Sequence, residues 1–354
     1  MTTTPVHATT TASPPRLAYI DQLRVVAALA VVMIHVSAMH WGDTPPASAD
    51  WQAMNVYAAV SRWCVPVFFM ISGSLFLAPG RTDTPAKTWR RHIPKLLVMY
   101  LAWSAAYTVL SAVFQRTADP VFLLTHLWDG YYHLWYLLAL AGVYALIPLL
   151  QRVVADDALA RYFVVLTGVA SLAVPTLALV PVAGDLTADL VQRVGPFLAA
   201  GFPFYFVLGH LLHEHGDRLS PRTRALVYAG GGLGVAVTVG GTAWASVARG
   251  TQVGEFYGYL TLGVALAAAA VFLAVRTRAG GAVTGPRLAT VARWTLPIYL
   301  VHPAFVRIFQ ELDLTPRLLP SVVGVPLVWL AVLALSVATS AVLVRIPVVN
   351  SWLV

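Results

Sequence analysis

Apolar runs long enough to cross a bilayer recur along the chain, at roughly residues 18–41, 52–79, 93–114, 132–150, 161–181, 195–213, 224–246, 255–275, 290–310 and 321–346. A helix needs about 20 such residues to span the hydrocarbon layer. Within that layer every backbone polar group must be bonded inside its own segment, so runs of this kind fold as helices. The expected fold is therefore all-α, a polytopic membrane protein of about ten transmembrane helices. The fourth and sixth runs are short and the second is long and contains Pro66, while Pro297, Pro303 and Pro326 blur the ends of the last two. Composition agrees, with 58% of residues hydrophobic and 11% charged, against about a quarter charged in a soluble domain.

Ten spans put both termini on one side, and the cations say which. The N-terminal end, the even-numbered loops and the C-terminal end carry sixteen of the 23 Lys and Arg residues, and the opposite loops carry four. By the positive-inside rule both termini are expected in the cytoplasm, with the protein a multi-pass component of the inner (plasma) membrane. The net charge of +8 is thereby spent on topology, and no nucleic-acid partner is expected. Residues 1–15 (Thr-, Pro- and Ala-rich, without Lys or Arg) read as a disordered tail rather than a signal peptide. Residues 16–346 form a single transmembrane domain, and 347–354 a short cytoplasmic end. The single cysteine, Cys64, excludes a disulfide framework and a cysteine metal site, and no metal is expected. The glycine run Gly230, Gly231, Gly232, Gly234 follows no strand, so close helix packing explains it better than a dinucleotide fingerprint.

Three ionisable groups lie within spans where they are costly. Arg24 and His35, eleven residues apart, project from nearly one face of the first helix, separated by a rise of roughly 16 Å. Separately, Arg24 could snorkel to headgroups and His35 could bond a neighbouring helix. Sharing one stripe, with Asp21 a turn below, they indicate a polar path. Arg62 enters the second span from the other face by about ten residues, roughly 15 Å, near the depth of His35. Those matching depths suggest one pocket, with an Arg62–carboxylate pair as the alternative. Pro66 frees a carbonyl above Ser72–Gly73–Ser74, where the helix could bend.

At the cytoplasmic mouth of the third span stand Arg90, Arg91, His92 and Lys95. Plain topological anchoring accounts for such a cluster, but guanidinium forks and an ammonium also match the phosphates of a nucleotide-bearing donor. Trp135 and Tyr136 open the fourth span, as an interfacial belt or as a stacking platform for a sugar. Tyr299 and His302 lie between Pro297 and Pro303 in the ninth. There is no GxSxG, HExxH or P-loop and no close carboxylate pair, which leaves histidine as the base for proton transfer near neutral pH.

With these residues the chain resembles the acyltransferase 3 family of integral membrane O-acyltransferases. The motifs, in order, are IDQLRVVAALAVVMIH (an Arg, ten residues and a His, preceded by an Asp), VPVFFMISGSLFL, RRHIPKLL, HLWYLLAL and LPIYLVHPAF. RWCVPVFFMISG resembles the branch that acetylates surface glycans. Met99 stands where a Pro before Tyr100 is common, and Lys95 where Arg is frequent. The resemblance implies transfer of an acyl group, usually acetyl from acetyl-CoA, to a hydroxyl of a carbohydrate or glycolipid acceptor. It makes Arg24 and His35 the essential pair beside Asp21, and sets Arg91 and Lys95 on the basic motif. The expected mechanism docks the CoA phosphates against Arg90, Arg91 and Lys95, threads the donor past Arg24, and uses His35 as general base. Arg62 or a donor near Ser72 would hold the oxyanion, with Trp135, Tyr136, Tyr299 and His302 at the acceptor. The alternative from another class is a transporter or flippase using the same buried groups as a relay.

Overall fold

The structure, a computed structural model, describes residues 16–179 and 201–352. The expected disordered tail, the end of the fifth run, the start of the sixth and the stretch between them, which is expected in an outer loop and holds Asp185, Asp189 and Arg193, lie outside the described residues. Within them the helices are α1 (Ala18–Ser37), α2 (Ala49–Ala59), α3 (Cys64–Phe76), α4 (Pro85–Gln115), α5 (Pro120–Asp129), α6 (Trp135–Ala145), α7 (Ile147–Val153) and α8 (Asp157–Leu177). They continue with α9 (Phe202–His215), α10 (Pro221–Arg249), α11 (Leu262–Ala279), α12 (Pro286–Arg293), α13 (Thr295–Glu311), α14 (Ser321–Leu343) and α15 (Pro347–Trp352). The starts are set by side-chain caps and prolines. Ser48 accepts from the Trp51 N–H at 3.2 Å, Asp156 from the Ala158 N–H at 2.7 Å and Ser220 from the Thr223 N–H at 3.1 Å. Pro120, Pro221 and Pro286 each open a helix, where the missing N–H costs nothing.

The protein is a multi-pass, all-helical membrane protein. Among the described residues seven helical stretches are long and apolar enough to cross a membrane, and α6 with α7, bent by 56°, makes an eighth if counted as one span. Of the other expected runs, the fourth is α6–α7, broken next to Pro148, and among the described residues the sixth and ninth hold helices of 14 and 17 residues, α9 and α13. The bend expected at Ser72–Gly73–Ser74 is not there. α3 runs unbroken through those residues, and the second span opens earlier, between α2 and α3, where Arg62 sits. Pro66 falls in the first turn of α3, so its missing N–H breaks no helical bond. The helices α13 and α14 likewise continue through Pro303 and Pro326.

α1 is the central helix, packed against α2, α3, α11, α12, α13 and α14. Two glycine crossings draw other pairs together. A Cβ on Gly73 would strike the Phe206 backbone, and one on Gly209 the Met70 backbone, so α3 and α9 touch main chain to main chain. The glycine run in α10 does the same against α11, where Gly234 faces the Gly263 backbone and Gly231 faces Ala270. Small residues are how apolar helices gain packing in a bilayer, where burial from water contributes little between them. Gly209→Ala should therefore cost about 1–3 kcal/mol by overpacking. Gly232, with nothing within 4 Å of an added Cβ, should accept Ala with a gain of up to about 1 kcal/mol from helix propensity. Melting temperatures of the two variants in detergent check this, and equal values would contradict the close crossing.

Candidate active site

One cavity of about 730 Å³ runs between α1, α3, α4, α6 and the α12–α13 junction. At the N-terminal end of α1 its walls are Arg91, His92 and Lys95 of α4. Further in come Arg24 of α1, Ser72 of α3 and Tyr144 of α6, and at the far end His35, His133, Trp135, Tyr136, Tyr259 and Tyr299. Helix geometry explains the order, because Arg24 and His35 are separated by roughly 16 Å along α1, and α3 and α6 run antiparallel beside it. The structure thus brings Arg24, His35, Ser72, Arg91, Lys95, Trp135, Tyr136 and Tyr299 to one space. Asp21, Arg62, Arg90 and His302 stand elsewhere.

Asp21 is fully buried and does not line the cavity. Its carboxylate accepts from Arg16 Nε at 2.5 Å and Arg16 Nη2 at 2.8 Å, from Thr284 Oγ1 at 2.9 Å and from Arg24 Nη1 at 3.3 Å. Backbone bonds beside it, Ala18 N–H to the Ala282 carbonyl and Thr284 N–H to the Arg16 carbonyl, both 2.8 Å, tie the chain before α1 to the loop before α12. Expected among the catalytic groups, Asp21 reaches the cavity through Arg24 rather than lining it. It fixes the Arg24 guanidinium, which is one-third exposed toward the cavity.

The mouth is shaped by a carboxylate that the sequence reading passed over. Asp83, with a fully buried side chain, pairs with Lys87 at 2.5 Å, Arg81 at 2.8 Å and His92 at 3.4 Å. Burial pushes this carboxyl up, but the hydrogen bonds from Lys87, Arg81 and His92 outweigh it and hold the group well below the ordinary carboxylate range. The residues it grips flank a single π-turn, Thr88–His92. The wider turn shifts the helix register, so that Arg91, His92 and Lys95 line the cavity while Arg90 is exposed outside it.

Three imidazoles meet at the far end. The His35 ring lies 5.1 Å from that of His302 and 5.0 Å from Tyr132, and His302 lies 5.8 Å from His133. His302 is buried behind His35, outside the cavity. Its Nδ1 donates to the Ile298 carbonyl at 3.0 Å, leaving Nε2 without a partner. His133 is 2% exposed and lies beside the Leu300 backbone. Tyr299 donates to the His133 carbonyl at 2.5 Å and fixes the turn that carries it. His133 was not among the expected site residues. Its signals in the sequence are its place at the head of the HLWYLLAL motif and beside Trp135–Tyr136.

Arg62 was expected in the same pocket as His35. It lies instead in an adjoining cavity of about 340 Å³, with Trp41 and Tyr257. Its guanidinium stacks 4.2 Å above the Tyr257 ring, and no carboxylate pairs with it among the described residues. Arg62 stands in the turn at residues 60–63, between α2 and α3, rather than on a continuous helix.

A family model described as an acyltransferase domain matches residues 17–345. A serine/alanine racemase from Enterococcus gallinarum is 29% identical over 238 residues, which is 59% of this chain and 31% of the racemase. The chain thus spans less than a third of that relative's length. No solved structure matches.

Proposed function

The chain belongs to the acyltransferase 3 family, and on that premise we propose that it moves an acetyl group from acetyl-CoA to a hydroxyl of a carbohydrate-containing acceptor. The supporting observation is the single cavity that has Arg91 and Lys95 at one end, His35 at the other and Arg24 between them. Acyl-CoA is a substrate here, and its chemistry fits the walls. Phosphates suit the Arg91 fork and the Lys95 ammonium, which an i, i+4 spacing puts on one face. The uncharged arm lies along Val31, Phe68 and Leu140, with Arg24 at the polar midpoint. The basic mouth faces the cytoplasm, as do the two termini, in the plasma membrane.

His35 takes the proton of the acceptor hydroxyl as its oxygen attacks the thioester carbonyl. A C–O bond forms, the C–S bond breaks, and the imidazolium returns its proton to the leaving sulfur. The hydroxyls of Ser72 and Tyr136, both on the cavity wall, supply donors to the oxyanion. Donors fixed in advance where charge develops are the larger part of such catalysis. Arg62, in the adjoining cavity, is relieved of that role. The buried ring of His302 behind His35 limits the orientations open to the base.

Purified protein in detergent, given acetyl-CoA and an oligosaccharide acceptor, should release free CoA without any sealed compartment. A requirement for sealed vesicles would favour transport instead. Arg91→Ala combined with Lys95→Ala should raise the donor KM by roughly 10- to 100-fold, the loss of two charge-assisted contacts. The effect on kcat should be smaller. An unchanged KM would return this cluster to plain topology.

A further inference from the structure

We propose that the second cavity is an anchoring subsite for an anionic acceptor, a sugar that carries a carboxylate or phosphate within about one ring of the acylated hydroxyl. The inference rests on the acyl-transfer reading above and adds the class of acceptor. The cavity lies beyond His35 at the C-terminal end of α1. It is bounded by Ala38, Trp41, Arg62, Tyr257 and Tyr259, with exposed Gly254 and Gly258 on its rim. Tyr259 lines both cavities, so this ring alone is shared between the two spaces. Ala38 stands one turn past His35, a rise of about 4.5 Å, which one sugar ring covers.

Its donors are only partly used. The Arg62 guanidinium reaches the Tyr259 hydroxyl, yet its Nε is buried without an acceptor. No acidic residue lines the cavity. The nearby Glu255 pairs with Arg249 at 3.0 Å and is exposed. A half-buried cation without a counter-charge is retained against part of a desolvation cost, and the Tyr257 face beneath it recovers only some of that. Stacked on the ring, the guanidinium bonds the Tyr259 hydroxyl and turns the rest of its N–H edge to the cavity, the edge that grips planar carboxylates and phosphates in pairs. The Tyr257 hydroxyl is already committed to Asn55 Oδ1 at 2.5 Å, so the platform is held still. The rings of Trp41 and Tyr259 supply faces for the sugar. At about 340 Å³ the volume falls within the range of small-molecule sites, roughly 300–1,000 Å³.

The test compares three probes on the full-length protein in detergent, methyl β-glucuronide, its uncharged methyl ester, and a hexose 6-phosphate. Binding is read directly by thermophoresis, and acyl transfer from acetyl-CoA is read in parallel. The wild type should bind the glucuronide or the phosphate at least about 10-fold more tightly than the ester, the loss of one charge-assisted pair. Whichever anion gains more identifies the group on the natural acceptor. Arg62→Gln should erase the preference, and Arg62→Lys should keep part of it. Should Arg62→Gln fail to fold, Trp41→Phe removes the indole donor, keeps the ring and should reduce the preference. Equal binding of acid and ester by the wild type, or a preference that survives Arg62→Gln, would overturn the subsite. Selective binding without any acyl transfer would leave the subsite standing and sink the transferase reading. Transfer without selectivity would do the reverse.

Discussion

A His35→Ala protein should insert and fold normally yet lose acyl transfer by a factor on the order of 10²–10⁴, the usual contribution of a positioned general base. His35 is only half-buried, opens onto the cavity, and has no protein hydrogen-bond partner of its own. Its removal therefore breaks no structural bond, and the loss should sit in the chemical step. His35→Gln keeps a polar group of similar reach but cannot cycle a proton, so it should be nearly as inactive. Normal acylation by either variant would end the assignment. His35 could instead carry the acyl group covalently, and the same proteins decide between the two routes. Incubated with donor alone, a covalent enzyme releases about one equivalent of CoA per protein in a burst, whereas direct transfer gives none.

Asp21→Ala should produce the second large effect, in stability as well as turnover. The carboxylate is fully buried and serves Arg16, Arg24 and Thr284 at once. Breaking a buried pair by deleting one partner costs about 3–5 kcal/mol. The two guanidinium groups keep partial access to water, with side chains 44% and 32% exposed, so the lower end of that range is expected here. Freed from Asp21, Arg24 no longer has a fixed direction along the cavity, and donor kcat/KM should fall about 10-fold, the equivalent of one hydrogen bond to a charged group. Asp21→Asn retains an acceptor for Thr284 and should fall between the two proteins. Melting in detergent and donor kinetics measure both parts. An unchanged melting temperature in Asp21→Ala would contradict the hub.

The parts of this arrangement that were legible in the sequence are those fixed by helix periodicity. Arg24 and His35 share a face because eleven residues are three turns, and Arg91 and Lys95 share one because four residues are one turn. Neither relation depends on the rest of the fold. Arg62 shows where periodicity stops helping. Its depth follows from a continuous helix, whereas it stands in the turn between α2 and α3 and lines a separate cavity. Long-range partners were equally out of reach. Thr284 meets Asp21 across 263 residues, and the carbonyl that accepts from Tyr299 belongs to His133. Asp83 stood in a short polar loop between spans, where nothing local marks one carboxylate as the hub for Arg81, Lys87 and His92. Apolar length alone also does not foresee the break at Pro148 or the short helices α9 and α13.

The measurement that bears most directly on the central claim is the position of a non-transferable acyl-CoA analogue bound to the detergent-solubilised protein, seen by electron cryomicroscopy. Density for the phosphates against Arg91 and Lys95, with the acyl end within hydrogen-bond reach of His35 and the arm passing Arg24, is the expected result. An analogue bound outside this cavity, or one whose acyl end stops short of His35, would contradict it.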